Sequence, residues 1–321
     1  MARPRVEVVH VGSACRDVVR EDPRGWRLGG GVTYASLTTA RLGLRTAAIV
    51  GVDATAATAS ELDMLRDAGV DLLLVPLDEG PIYHNLETAK GRVQTCVATG
   101  VPLPVPAVPE SWLAAPGWSL VPVAGELTDA WAAAVPADAH LAVAWQGFLR
   151  ELTAGEQVRR RPPQPSAILR RADLVGVSHH DVPASTPISE LYDLLHLGAD
   201  LLITQGVEGG LLIRLGPDGP TESLRYVSTS TDRETDPTGA GDTFLAALQA
   251  SILRPAVVGR HRPRHRLDLR FAAAAGSLVV EGLGLAGVPD RSAVLVRRAR
   301  ERIRRAVVQT EVSQVGAVEP P

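Results

Sequence analysis

The sequence has little cysteine and almost no lysine. Its two cysteines, Cys15 and Cys96, lie far apart and lack the spacing of a metal site. We therefore expect reduced thiols rather than a disulfide framework. Lys90 is the only lysine, and it does not stand in the Gly-Lys-Ser/Thr step of a P-loop. Its place between two apolar strand patterns also argues against Schiff-base chemistry, because a lysine at a hairpin tip is normally solvated.

Long apolar runs and an excess of one charge are also absent. No run of about 18 uncharged apolar residues occurs, and charged or polar residues interrupt the first seven positions, where a signal peptide would need an apolar core. The net charge of −3 argues against a nucleic-acid binder. With 321 residues, 45% of them hydrophobic, the chain can bury one large α/β core. These features predict a cytoplasmic protein that binds neither nucleic acid nor membrane.

Short apolar runs alternate with helical patterns, which predicts a mostly parallel central sheet flanked by helices on both faces. We expect strands at 6–11, 46–50, 72–75, 120–123, 141–145, 174–177, 201–204 and 210–214. We expect helices at 32–42, 55–68, 126–134, 188–197, 243–253, 267–281 and 291–308. The segments 82–88 and 92–98 flank a Lys-Gly turn and predict a hairpin. The proline-rich segment 153–165 and the basic segment 254–266 are predicted to be connectors.

One segment carries most of the chemical information, Asp236-Pro237-Thr238-Gly239-Ala240-Gly241-Asp242-Thr243-Phe244. Proline ends the preceding element, and apolar residues then follow helical spacing, so the glycines are predicted at a helix N-terminus. The first amides of a helix have no intrahelical partner and the helix dipole is positive there, so a phosphoryl group binds without lysine. Asp242, in the first turn, is placed to accept a proton from an attacking hydroxyl. Taken alone, the segment could also be an ordinary glycine turn that caps a helix.

Several separate segments make the sequence resemble the ribokinase-like (PfkB) carbohydrate kinases along nearly its whole length. The run from Asp236 to Asp242 is similar to the family's second signature, and Leu28-Gly29-Gly30-Gly31-Val32-Thr33-Tyr34-Ala35 is similar to its first. Residues 8–17 and 48–53 resemble the family's strand ends. The resemblance implies a single ribokinase-like α/β kinase domain over residues 1–312, with a small β lid from parts of 12–34 and 80–100. Residues 313–321 are expected to be a disordered tail.

The resemblance also implies the site of an ATP-dependent kinase. Asp242 would be the base, and the amides of Gly239, Ala240 and Gly241 would stabilise the transferring phosphoryl group. The acceptor would contact Asp17, Gly30, Gly31 and Gln146, although Gln146 and Arg150 could instead cap a strand. The nucleotide would contact Thr204, Gly206, Thr238, Gly239 and Gly241. Asp236 and the Thr238 carbonyl match positions that hold a monovalent cation such as K⁺, with later ligands at 282–287.

The magnesium motif departs from the family's pattern. Relatives often carry Asn-x-x-Glu before the nucleotide region, whereas this chain has Ser178-His179-His180-Asp181. Asp181 keeps an oxygen ligand that can reach Mg²⁺ through water. Transition-metal ligation by His179 and His180 is the alternative, but adjacent side chains on an extended segment point in opposite directions.

The substrate is less sharply defined than the reaction. Residues 144–150 and the Cys15-Arg16-Asp17 step resemble the inositol-kinase-like branch of the family. The lysine and asparagine usual in ribokinases are replaced by Gly31 and Tyr34, which argues against ribose. We therefore expect a cyclitol, such as myo-inositol, or a sugar as acceptor, with a nucleoside as the alternative.

Two other functional classes stay open. An oxidoreductase is disfavoured, because Gly12-Ser13-Ala14-Cys15 follows the first strand in place of Gly-x-Gly-x-x-Gly. A catalytically silent binding relative is supported only by the altered metal motif. The sequence also leaves the oligomeric state open, with a homodimer as one option.

Overall fold

The computed structural model describes residues 5–88, 91–259 and 267–300, so Lys90 and the predicted tail at 313–321 lie outside the described residues. The strands are β1 (Val8–Ser13), β2 (Cys15–Val18), β3 (Trp26–Gly29), β4 (Thr46–Val52), β5 (Asp71–Pro76), β6 (Ile82–Thr88), β7 (Gly91–Ala98), β8 (Gly117–Leu120), β9 (His140–Ala144), β10 (Arg150–Glu151), β11 (Arg159–Arg160), β12 (Leu174–Ser178), β13 (Asp200–Thr204), β14 (Gly210–Gly216) and β15 (Gly219–Tyr226). The helices are α1 (Gly31–Arg41), α2 (Ser60–Asp67), α3 (Glu110–Leu113), α4 (Ala130–Ala134), α5 (Ala167–Arg171), α6 (Ile188–Tyr192), α7 (Ala240–Leu253), α8 (Leu269–Val279) and α9 (Arg291–Arg300). Within the described ranges, no helix has the length and apolar character needed to cross a membrane.

The large sheet has nine strands in the order β15, β14, β13, β12, β9, β8, β1, β4, β5. The seven strands from β13 to β5 are parallel to one another, and β14 and β15 extend the sheet antiparallel at one edge. Parallel strands covered on both faces need near-continuous apolar runs, and all seven residues of β4 are buried. The predicted mostly parallel α/β fold is confirmed.

Helices cover both faces of this sheet. Helices α1, α7 and α8 pack on one face, where Leu248 and Phe271 are fully buried, and α3 to α6 pack on the other, around Trp131 and Leu191. Gln249 fixes α7 to the sheet, because its amide donates to the Trp118 carbonyl at 2.8 Å and its oxygen accepts from Ser119 at 2.5 Å. This contact anchors the C-terminal half of α7 to β8. Open α/β sheets bind their ligands at the carboxyl ends of the strands.

A second, four-stranded sheet has the order β3, β2, β6, β7. We call it the small sheet; its strands come from the two segments that the sequence analysis assigned to the lid. It joins the large sheet directly, because only Ala14 separates β1 from β2. Arg16 of the small sheet also forms an ion pair with Asp53 at 2.8 Å, and the Tyr83 hydroxyl donates to the Val123 carbonyl at 2.9 Å. The predicted hairpin is confirmed as the β6–β7 pair.

Several element boundaries differ from the prediction. The strand expected at 120–123 is wrong: β8 ends at Leu120, and the chain then turns as the Glu126 carboxylate accepts the amides of Val123 and Ala124. For the same reason, the helix expected at 126–134 begins only at Ala130. Strands β2, β3, β10, β11 and β15 were not predicted, and β11 lies within the segment 153–165 that was predicted to be a connector. The sequence overestimated the helix at 188–197, of which 188–192 is helical, and the end of the one at 291–308 lies outside the described residues.

Candidate active site

Asp242 lies in the first turn of α7, at the point where the glycine-rich segment becomes helical. Its carboxylate is half-buried, and no described residue donates a hydrogen bond to it. Burial raises the pKa of Asp242 to about 6; the nearby Arg150 guanidinium lowers it, and the Asp181 carboxylate raises it further. A carboxylate with free oxygens and a pKa near neutrality is suited to accept a proton from a hydroxyl.

The glycine segment has the conformation of an anion site. Gly239 is the N-cap of α7 with a φ of 80°, a left-handed conformation that favours glycine. Among the described residues, the amides of Gly239 and Gly241 have no acceptor, so both are free to bind an anion. Ala240 differs from the expectation, because its amide makes a long hydrogen bond of 3.4 Å to the Pro237 carbonyl. Gly241 is exposed, with open space where a side chain would stand.

Asp17 lies on β2 of the small sheet, and a chain of amides holds its carboxylate. Asn85 on β6 donates to Asp17 Oδ1 at 3.1 Å, and Gln94 on β7 donates to the Asn85 oxygen at 2.7 Å. A Cβ on Gly29 would overlap Asp17 Oδ2, so this glycine permits the carboxylate to approach the backbone. Sequence reasoning did not identify Asn85 or Gln94, because the pairing of β6 with β2 brings them to Asp17.

The first glycine signature lies between Asp17 and Asp242. A Cβ on Gly31 would come 2.7 Å from Asp242 Oδ1, so the carboxylate lies directly over this residue. Gly30 has a φ of 102°, and its carbonyl accepts the Thr33 amide and hydroxyl as α1 begins. The structure therefore assigns Gly31 a role in close packing against Asp242, and contact of either glycine amide with a substrate stays a prediction.

Asp236 is tied to the segment after α8. Its Oδ1 accepts the Thr238 amide at 3.0 Å, and its Oδ2 accepts the Gly284 amide at 3.1 Å. This brings together Asp236, Thr238 and the 282–287 segment, the three parts expected to surround a monovalent cation. The cation itself stays a prediction.

The altered metal motif lies at the end of β12. Asp181 Oδ1 accepts the Gln146 amide at 3.0 Å, and its Oδ2 accepts the Ser178 amide at 3.2 Å. The expected divergence of the two histidine rings is wrong: residues 179–180 form a turn rather than an extended segment, and the rings of His179 and His180 lie 3.7 Å apart. Even so, the described ranges contain no cluster of three or more His, Cys, Asp or Glu residues that could hold a metal ion.

The predicted nucleotide residues lie beside this motif. Thr204 ends β13 and pairs with Ser178, and its carbonyl accepts the His179 amide at 3.0 Å. Gly206 follows in a 3₁₀ turn with a φ of 55°, and a Cβ there would meet no atom within 4 Å. Thr204 and Gly206 thus lie on the same edge of the sheet as Asp181, and the space beside Gly206 is open.

Arg150 and Glu126 complete the site, and the sequence did not identify their roles. Arg150 donates to the Val123 carbonyl at 2.9 Å, and its guanidinium lies 5.4 Å from the centre of the Tyr83 ring. It forms no ion pair with a described residue. Glu126 is buried and accepts the Ser13 amide at 2.8 Å, which joins the end of β1 to the loop after β8. Burial raises the pKa of Glu126, against the effect of these amides.

Comparison with known proteins points to one family. Residues 151–291 match the model of the pfkB family carbohydrate kinases. This family and the kinase structures below support a phosphotransferase that acts on a hydroxyl group. No curated protein sequence matches the chain.

Solved kinases share the fold of this chain over most of its length. A pyrophosphate-dependent kinase of the ribokinase family, complexed with a pyrophosphate analog and myo-inositol, is 20% identical, with a TM-score of 0.64 over 89% of this chain and 98% of its own. Arabidopsis thaliana ribokinase, complexed with ribose and ATP, is 17% identical, with a TM-score of 0.65 over 93% and 100%. A nucleoside kinase from Methanocaldococcus jannaschii is 14% identical, with a TM-score of 0.66 over 92% and 99%.

Proposed function

We propose that the protein transfers the γ-phosphoryl group of ATP to a hydroxyl of a sugar or cyclitol, with a myo-inositol-like acceptor favoured. The observation that carries this proposal is the Asp242 carboxylate, which has no described hydrogen-bond donor and stands at the N-terminus of α7 beside two free amides. A proton acceptor and an anion site one residue apart are what phosphoryl transfer to a hydroxyl requires.

In the proposed mechanism, Asp17 accepts hydrogen bonds from acceptor hydroxyls and holds the acceptor at the junction of the two sheets. Asp242 then takes the proton of the attacking hydroxyl. Because the transition state of phosphoryl transfer is loose, the proton leaves late and a carboxylate is a sufficient base. The amides of Gly239 and Gly241 stabilise the charge on the transferring group.

The carboxylate of Asp181 fits a magnesium site of the kind that works through water. Mg²⁺ keeps several waters and takes one or two carboxylates together with the donor phosphates, and it neutralises phosphate charge when bound. The hydrogen bonds from Gln146 and from the Ser178 amide fix the orientation of Asp181. K⁺ beside Asp236, a homodimer and a cytoplasmic location stay predictions from the sequence.

Pyrophosphate is the second candidate for the donor. The observation that favours it is the similarity of the fold to pyrophosphate-dependent kinases of the ribokinase family, one of them in complex with myo-inositol. A nucleoside acceptor is favoured only by the match to the archaeal nucleoside kinase.

The test is a matrix of donors and acceptors. Purified protein is given Mg·ATP or Mg·pyrophosphate with cyclitols, pentoses, hexoses and nucleosides, and phosphorylated products are detected by phosphorus NMR. We expect turnover on a cyclitol or sugar, and Asp242→Asn should lower kcat by about two to four orders of magnitude. The matched control is Asp63→Asn, an exposed aspartate on α2, which should keep wild-type turnover.

Each outcome of the matrix is informative. Turnover with pyrophosphate alone would identify pyrophosphate rather than ATP as the donor. Turnover on nucleosides alone would identify a nucleoside rather than a cyclitol as the acceptor. Near-wild-type turnover by Asp242→Asn would refute the assignment of Asp242 as the base. Silence across the matrix with retained donor binding would favour a catalytically silent relative.

A further inference from the structure

Residues 150–160 form a hairpin that has no part in the proposed mechanism. Its strands β10 and β11 pair antiparallel, with Arg150 directly opposite Arg160. Backbone hydrogen bonds of 2.8–2.9 Å join the loop between them to the edge of β7, where Thr95 also pairs with Gln157. The small sheet therefore fixes the position of the hairpin.

The two faces of this hairpin differ in how their charges are matched. On one face, Arg159 lies opposite Glu151 and forms an ion pair with Glu156 at 3.4 Å. On the other face, Arg150 and Arg160 lie opposite each other, and neither forms an ion pair with a described residue. Like charges directly opposite each other on two strands destabilise the pairing. An anion between the two guanidinium groups would remove this repulsion.

The face with the two arginines is turned toward the candidate active site. Burial raises the pKa of Asp242 to about 6, and the nearby charge of Arg150 opposes this shift. Burial lowers the pKa of His180, and the nearby charge of Arg160 lowers it further. Because His180 immediately precedes Asp181, Arg160 lies on the side of the site where the donor is expected.

The chemistry of this pair fits a phosphate. Guanidinium groups bind phosphate oxygens through paired N–H donors and keep their charge at any working pH. Arg150 donates from Nη1 to the Val123 carbonyl at 2.9 Å, and its other two nitrogens have no acceptor among the described residues. Of the proposed reactants, the polyol acceptor is neutral and the donor carries the negative charge. The donor is therefore the anion that the pair would bind.

We propose that Arg150 and Arg160 bind the terminal phosphate of the donor, with one guanidinium group on each side of it. This inference rests on the proposed kinase function and adds a donor contact outside the glycine segment. It applies to ATP and to pyrophosphate, because both end in a phosphate. Since the hairpin is fixed to the small sheet, the pair also connects the donor to the sheet that carries Asp17.

The experiment compares Arg160→Gln with Arg159→Gln, which removes the same charge from the neighbouring position on the opposite face of the hairpin. Arg160→Gln should lower kcat/KM for the donor about 10- to 100-fold, as for the loss of a charge-assisted hydrogen bond, and leave KM for the acceptor unchanged. Arg160→Lys should recover part of this loss, because it restores the charge without the planar guanidinium group. Arg159→Gln should keep wild-type kinetics with either donor.

Thermal unfolding in a phosphate-free buffer measures anion binding without turnover. Pyrophosphate should raise the Tm of the wild type and of Arg159→Gln, and should raise the Tm of Arg160→Gln much less. Without pyrophosphate, Arg160→Gln should unfold about 1 °C above the wild type, because the repulsion between the two arginines is gone. If Arg160 only supported the hairpin, its replacement would lower this Tm instead.

Three results would refute the role of the arginine pair and leave the proposed function intact. The first is Arg160→Gln with wild-type kcat/KM for both donors, and the second is a loss that Arg159→Gln shares in full. The third is a lower Tm of ligand-free Arg160→Gln, which indicates a structural role. A wild type without turnover on any acceptor, but with a pyrophosphate-dependent Tm that Arg160→Gln loses, would refute the proposed kinase function and retain the anion site.

Discussion

The pKa of Asp242 leads to the sharpest prediction about turnover. Burial raises this pKa to about 6, so the base should be about nine-tenths ionised at pH 7 and about one-tenth ionised at pH 5. An aspartate with an ordinary pKa near 3.9 would be ionised at both. The ionised form accepts the proton, so kcat/KM for the acceptor should fall about tenfold from pH 7 to pH 5 rather than stay level.

Two substitutions should move the acidic limb of the pH profile, the fall in kcat/KM between pH 7 and pH 5, in opposite directions. Arg150→Gln removes the cation that lowers the pKa of Asp242, so the limb should shift to higher pH. Asp181→Asn removes the like charge that raises the pKa, so the limb should shift to lower pH. Asp181→Asn keeps the size of the side chain, whereas Arg150→Gln also shortens it and removes the hydrogen bond to the Val123 carbonyl.

The assay has to separate Asp242 from the donor, whose phosphates also titrate. Acceptor kinetics are measured at saturating donor, and the carboxyl itself is titrated by carbon NMR on protein labelled at aspartate. The resonance missing from Asp242→Asn identifies the residue. A midpoint near 4, or a shift in the same direction in both charge variants, would refute the electrostatic explanation.

Two further predictions concern the backbone and the core. Gly239→Ala should lower the free energy of unfolding more than Gly43→Ala. Both glycines have a positive φ, which costs about 1–2 kcal/mol for alanine. Only at Gly239 would the added methyl group also overlap a side chain, the ring of Tyr34. Equal losses of unfolding free energy in denaturant titrations would mean that the Tyr34 ring moves aside at no cost in stability. His10 is buried and neutral, with a pKa lowered by burial to about 3, whereas the unfolded chain binds its proton near pH 6.5. Stability should therefore be complete above pH 6.5 and fall as pH drops toward 3, by about 2 kcal/mol between pH 6.5 and 5 from this group. His10→Asn should have a flatter dependence over that interval, and an unchanged slope would assign the effect to other groups.

The local parts of the site were predictable because their physics is local. The glycine segment and Asp242 are consecutive in sequence, and a helix N-terminus has the same free amides in any protein. The parallel strands were found for a similar reason: burial on both faces requires apolar runs that are visible in one dimension.

The partners of these residues were not predictable, because they come from distant parts of the chain. Glu126 closes its hydrogen bond to Ser13 across 113 residues, and Asn85 reaches Asp17 across 68. Strands β2 and β3 have four residues each, too few to show alternation in the sequence, and only the pairing of β2 with β3 and with β6 defines them. The turn at 179–180 follows from the hydrogen bonds of Asp181 and Thr204, which the residue types alone do not indicate.

The sequence by itself determined the fold class and placed the glycine segment and Asp242 at a helix N-terminus, since each depends on neighbouring residues and on periodic burial. Only the tertiary structure decided the pKa of Asp242, the placement of Tyr34 against Gly239 and the pairing of Gln146 with Asp181. Burial and charge–charge distance are properties of the packed chain, so they do not exist until the two sheets and α7 meet.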